Sequence, residues 1–66
     1  MYNDITNETP INKGDWVRDK KTGEELQVGE LIDGKYHLKI KGKTDPGIYG
    51  VASLDTLIRR YEKLVS

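Results

Sequence analysis

A chain of 66 residues without cysteine must fold as one domain around an apolar core, since neither a disulfide nor a thiolate metal site is open to it. A domain this small buries only about 60% of the surface its unfolded chain exposes, so little of that core is dispensable. The 11 basic and 11 acidic residues cancel, which argues against a general nucleic-acid coat or a polybasic membrane binder, both of which need a field of one sign.

Residues 1–12 are polar, with Asn3, Asp4, Asn7 and Pro10, and are expected to form a flexible N-terminal arm ahead of a single domain over 13–66. Asn7-Glu8-Thr9 matches the glycosylation triplet by spelling alone, because no secretory segment accompanies it. Lys13-Gly14-Asp15 turns the chain into a first strand at about 15–20. A second strand is expected at about 25–32 and a third at about 35–41. Lys21-Thr22-Gly23-Glu24 joins the first pair. Asp33-Gly34 joins the second, and this dipeptide between apolar runs marks a two-residue hairpin whose turn positions both need positive φ.

The turns set an expected register. A four-residue loop at 21–24 pairs Lys20 with Glu25, Arg18 with Gln27 and Val17 with Val28, leaving Trp16 and Gly29 together on the outer face. From the other side, Asp33-Gly34 pairs Leu31 with Tyr36 and Glu30 with His37. Continued unbroken, that ladder opposes apolar Val28 to Lys39. One extra residue near Gly29-Glu30 restores the parity, with Val28 facing Leu38, Gln27 facing Lys39, Leu26 facing Ile40 and Glu25 facing Lys41. Gly29 is therefore a predicted bulge that bends the sheet.

Residues 42–47 read as a loop around Pro46-Gly47, and 48–52 as a fourth strand. In the last segment Leu54, Leu57, Ile58, Tyr61, Leu64 and Val65 share one face at helical spacing. Ser53 is placed to cap such a helix, with Asp55 in its first turn and Arg59, Arg60 and Lys63 toward its end. The amphipathic helix is preferred over a short turn followed by a fifth strand, because a strand would turn charges inward. The expected fold is mainly β: a small bent antiparallel sheet or barrel of four to five strands with a C-terminal α-helix. Its core is expected to hold Val17, Leu26, Val28, Leu31, Leu38, Ile40, Ile48, Val51, Leu54, Leu57, Ile58 and Tyr61.

The Lys-Gly-Asp-Trp-Val opening at 13–17, the tight hairpins and the Ile-Tyr-Gly-Val-Ala-Ser-Leu-Asp-Thr-Leu run at 48–57 resemble small Src-homology-3-like barrels. These include the KOW and Tudor-like modules common in bacterial and phage proteins. The resemblance covers 13–57 and implies a barrel that binds protein or nucleic acid. A barrel closed by a helix also looks like chromodomains and the small archaeal chromatin proteins. This chain departs from those by lacking three caging aromatics near its start and a strong basic excess.

Catalysis finds little material. His37 is the only histidine, points outward by alternation, and has no acid placed by the sequence to orient it. Gly42-Lys43-Thr44 would end a phosphate-binding loop, but the glycine that motif requires falls at position 37, which is histidine. The aspartates show no calcium-loop spacing. No enzyme activity, cofactor or metal is expected. The contact candidates are Trp16, Arg18, Tyr49, Lys39 and Lys41. Trp16 either packs over Gly29 or anchors a partner, and Tyr49 lies beside the Pro46-Gly47 turn. Trp16, Arg18 and Lys20 form one outward row and His37, Lys39 and Lys41 another, which with Arg59 and Arg60 offer a nucleic-acid face. Between the rows stand Glu25, Gln27 and Glu30, which partly neutralise them. The expected function is thus a non-enzymatic module docking on another protein, to which nucleic acid would bind weakly, with a small barrel that binds nucleic acid through its basic, aromatic strand face as the alternative. No long apolar run is present, so the expectation is a cytoplasmic protein without membrane contact.

Overall fold

The computed structural model describes residues 1–40 and 48–65, with backbone alone at 48 and 49. Its strands are β1 (Tyr2–Asp4), β2 (Trp16–Asp19), β3 (Glu25–Ile32), β4 (Lys35–Ile40), β5 (Ile48–Ser53) and β6 (Tyr61–Leu64), with helix α1 (Leu54–Arg60) between the last two. All pairings are antiparallel, in one open sheet of order β1-β6-β2-β3-β4-β5. The mainly β class and the helix match the sequence reading. The sheet has six strands rather than four or five, and it is not closed.

The Asp33-Gly34 turn forms as its residues require, with φ of 52° and 75°. Beyond it Leu31 faces Tyr36. The register then slips between Val28 and Leu31, so that Val28 faces Leu38, Gln27 faces Lys39 and Leu26 faces Ile40. The expected bulge is present. A Cβ on Gly29 would stand 3.3 Å from the His37 carbonyl oxygen and 3.4 Å from Lys39 Cε, so a side chain here would be crowded by β4.

The first hairpin differs by two residues from its expected register: Val17 faces Leu26, and Arg18 faces Glu25. The cause is Asp19, which ends the strand early and organises a wider turn. Its Oδ1 accepts the backbone N–H groups of Lys21 at 2.7 Å and Thr22 at 3.0 Å, while its carbonyl accepts from Gly23 at 2.8 Å. Because the shift is an even number of residues, Val17 keeps its inward face. Trp16, however, now stands opposite Gln27 and not over Gly29.

Residues 1–12 are not a detached arm. Tyr2–Asp4 pairs with β6, and Ile5, 2% exposed, belongs to the core. The core is built from Ile5, Val17, Leu26, Val28, Leu38, Ala52, Leu57 and Tyr61, flanked by partly buried Ile11, Tyr36, Ile40, Leu54 and Ile58. Two expected members are missing. Leu31 lies past the bulge where the hairpin outruns the core, and Val51 faces His37 on the outer side, leaving them 56% and 52% exposed. The side chain of Ile48 and the Glu25–Lys41 pair fall outside the described residues.

The last segment is neither all helix nor all strand. Ser53 caps α1 by accepting the Thr56 N–H at 3.3 Å, and Leu57 is fully buried, but the helix stops at Arg60. Lys20 N–H takes the Arg60 carbonyl at 2.9 Å, and from there the ladder of β6 on β2 begins with Asp19 facing Tyr61. The inward charge that disfavoured a strand is indeed present, because Lys63 faces buried Val17. It is satisfied there: Nζ donates to the Pro10 carbonyl at 2.7 Å and lies 3.5 Å from the Asp15 carboxylate.

Gly29→Val should lower unfolding stability by about 1–3 kcal/mol despite the better strand propensity of valine, since the new side chain meets backbone. Unchanged chemical denaturation would mean that β4 yields freely at this point. A second expectation concerns acid. The backbone N–H groups of Thr22 and Lys21 hold the Asp19 carboxyl below its ordinary pKa, against the opposing effect of burial. The folded pKa is thus below the unfolded one, near ~3.9, and the stability contributed by Asp19 is full above that pH and lost as pH falls through the folded value. The stability gap between the parent and Asp19→Ala should be constant at neutral pH and close in that acid window. A gap that is the same at all pH values would contradict the assignment.

Candidate functional site

On the sheet face opposite the core, the register fixes two rows. Asp4, Glu62, Arg18 and Glu25 lie side by side across β1, β6, β2 and β3. Trp16, Gln27 and Lys39 form the next row across β2, β3 and β4. The alternation of each strand produces the rows, since the inward places are taken by Val17, Leu26, Val28 and Leu38.

Arg18 is the centre of the first row. Its Nε and Nη2 donate to Glu62 Oε2 at 2.8 and 2.5 Å, and its guanidinium lies 4.1 Å from the centre of the Tyr2 ring. The Tyr2 hydroxyl in turn donates to Glu25 Oε2 at 2.9 Å. Burial first, and the Glu25 hydrogen bond second, push the Tyr2 phenol above its ordinary pKa. One aromatic ring, one guanidinium and two carboxylates therefore join β1, β6, β2 and β3 on the face away from the core. Arg18, singled out in the sequence as a partner contact, is engaged in this network and remains partly exposed.

Three further cations are paired in the same way. Lys20 lies 3.2 Å from Asp4, Lys13 lies 2.6 Å from Glu30, and Arg59 lies 3.1 Å from Asp55 one helical turn away. The Lys13 ammonium holds the Glu30 carboxyl below its usual range. Of the five contact candidates, the sheet brings Trp16 and Lys39 into one row, Trp16 half-buried and Lys39 exposed, and assigns Arg18 to the ion network. Lys41 and the side chain of Tyr49 lie outside the described residues. His37 is half-buried and faces Val51 across β4 and β5.

Among the described residues, no three His, Cys, Asp or Glu side chains converge as a metal site, and no helix is long and apolar enough to cross a membrane. What sequence reasoning missed is apolar. Leu31 and Ile32, at the end of β3, are 56% and 48% exposed. Their signal was present in the sequence: two adjacent apolar residues on a strand cannot both face the same core. Compared with protein-family models, curated proteins and solved structures, the chain matches none.

The ion network is open to a double-mutant cycle. Arg18→Gln and Glu62→Gln should each destabilise the fold, and together by less than their sum, with a coupling of about 0.5–1 kcal/mol. Strict additivity in urea unfolding would show that the pair does not act as a unit.

Proposed function

We propose that this chain is a non-enzymatic docking module that recognises another protein through the end of the β3–β4 hairpin. The observation that carries this reading is the exposed Leu31-Ile32 pair. It extends beyond the core on a hairpin that Asp33 and Gly34 close with the backbone geometry they prefer. Adjacent strand residues project to opposite sides, so the hairpin end presents an apolar side chain on each. Such an end suits insertion between two walls of a partner groove better than contact with a flat surface. About half of each side chain is still in water, so covering the remainder against a partner is worth roughly 0.7–1.5 kcal/mol apiece.

The charge arrangement supports the same reading over the nucleic-acid alternative. Phosphate recognition needs cations free to displace counterions. Arg18, Lys13, Lys20, Lys63 and Arg59 are each paired with a carboxylate of this chain. The bent antiparallel meander, with β6 returning beside β2, also supports the resemblance to small Src-homology-3-like barrels as a structural scaffold for binding.

Affinity capture from the native host, with the parent chain beside a Leu31→Lys, Ile32→Lys double variant, tests the proposal. A specific protein retained by the parent and lost by the equally stable variant is expected. Binding to duplex or single-stranded nucleic acid at physiological salt should be no tighter than ~10⁻⁶ M. Submicromolar nucleic-acid binding abolished by Lys39→Glu would overturn the reading.

A further inference from the structure

The two edges of the sheet are unlike. Edge strand β1 has 3 residues, includes Asp4, and is tied to the chain end by the Val65 N–H on the Met1 carbonyl at 2.6 Å. Short length and charge are the usual means by which an edge is kept from pairing with another chain. Edge strand β5 has neither. Ile48–Ser53, IYGVAS, is 6 residues long and contains no charge and no proline, while every other strand carries at least one charged residue. Its register slips once, between Gly50 and Ile48, and from Gly50 to Ser53 it pairs regularly with β4. Val51 on this stretch is 52% exposed on the outer side.

From this contrast we infer that the β5 edge pairs with the β5 edge of a second copy of the chain, antiparallel about a two-fold axis. The chemistry of self-pairing selects for the composition observed. In an isologous antiparallel strand pair the residue on the axis lies across from itself, so a charge there would meet its own sign. An uncharged strand avoids this in every register, and β5 is the described strand that is uncharged. Parity then limits the register, because facing residues must share a side of the sheet. Val51 opposite Val51 of the second copy satisfies this, with Gly50 opposite Ala52. The outer side gains a β-branched pair, and the inner side sets two small residues together where backbones approach closely. The lysines of β4 stand one strand further out on each side. Three strand spacings of about 4.8 Å separate the two β4 strands, beyond the ~8 Å screening length at physiological salt. Their repulsion does not oppose the contact. A single strand pair is a small interface, so the association is weak and concentration-dependent. It does not depend on the docking role of the hairpin end, which lies on β3 and stays exposed in the pair.

Sedimentation equilibrium from micromolar to about millimolar protein tests this directly. The parent chain should pass from monomer to dimer, and Val51→Lys should weaken that dimer at least ~10-fold while melting like the parent, since lysine would face lysine on the axis. The chain has no cysteine, so Val51→Cys carries a single thiol. Facing Cβ atoms about 4.5–5.5 Å apart lie near disulfide reach. Oxidative cross-linking of Val51→Cys should exceed that of Ile32→Cys, exposed but off the axis, by ~10-fold through effective concentration. A parent chain monomeric throughout, a dimer indifferent to Val51→Lys, or equal cross-linking at both thiols would each overturn the inference. The hairpin's capture experiment would be unaffected.

Discussion

The return of β6 between β1 and β2 is the constraint on which the rest of the molecule depends. Each of its residues has a distinct partner. Tyr61 enters the core opposite Asp19, Glu62 receives Arg18, Lys63 reaches Pro10 and Asp15, and Leu64 faces Tyr2. Without β6 the strand Tyr2–Asp4 has no neighbour in the sheet, Ile5 loses the paired strand that leads into the core, and the ion network on the outer face loses the carboxylate that Arg18 grips. In a domain this small such interdependence is expected, because no secondary cluster of apolar residues can stand in for a lost one.

The ends of the chain were the part least legible in the sequence, and for a physical reason. Tyr-Asn-Asp has no alternation that marks a strand. It becomes one because β6, far away in sequence, offers it a ladder of hydrogen bonds. The same holds at the other end. Leu54, Leu57, Ile58 and Tyr61 fit a helical stripe, and the stripe is real as far as Arg60, but Tyr61 reaches the same core from a strand. Local periodicity cannot separate these outcomes when one residue satisfies both. The lysine that weighed against a strand is accommodated by the Pro10 carbonyl and Asp15, partners that only the tertiary fold brings near.

Where structure is decided locally, the sequence was explicit. Asp33-Gly34 dictates a turn with positive φ at both positions, and the conflict of parity between its ladder and the apolar pattern of β3 demands one extra residue. That residue is found at the glycine. The other hairpin shows the limit of the same argument. Lys-Thr-Gly-Glu is a plausible four-residue loop, yet Asp19 captures two backbone N–H groups of the turn and shifts the pairing by two residues. An aspartate just ahead of such a turn is a potential organiser of it, and pairing it with Leu26 across the hairpin misplaced Trp16 relative to Gly29.

These placements narrow what the molecule can use for recognition. Long cationic side chains are the usual instruments of a small basic barrel, but here the cations of β2, β6 and the loop before β2 are neutralised by carboxylates on neighbouring elements. An exposed ion pair adds little stability, but it lowers the field available to a phosphate. The proposed docking and pairing roles rest on two features of the described residues. One is apolar surface at the end of the hairpin, which gains only when a partner removes it from water. The other is β5, last in the order of the sheet, whose edge the pairing proposal joins to a second copy. Neither requires net charge. A chain whose acids and bases cancel fits those proposals: its described ion pairs link neighbouring elements of the sheet, and the surfaces the proposals use, the hairpin end and the β5 edge, are uncharged at Leu31, Ile32 and Val51.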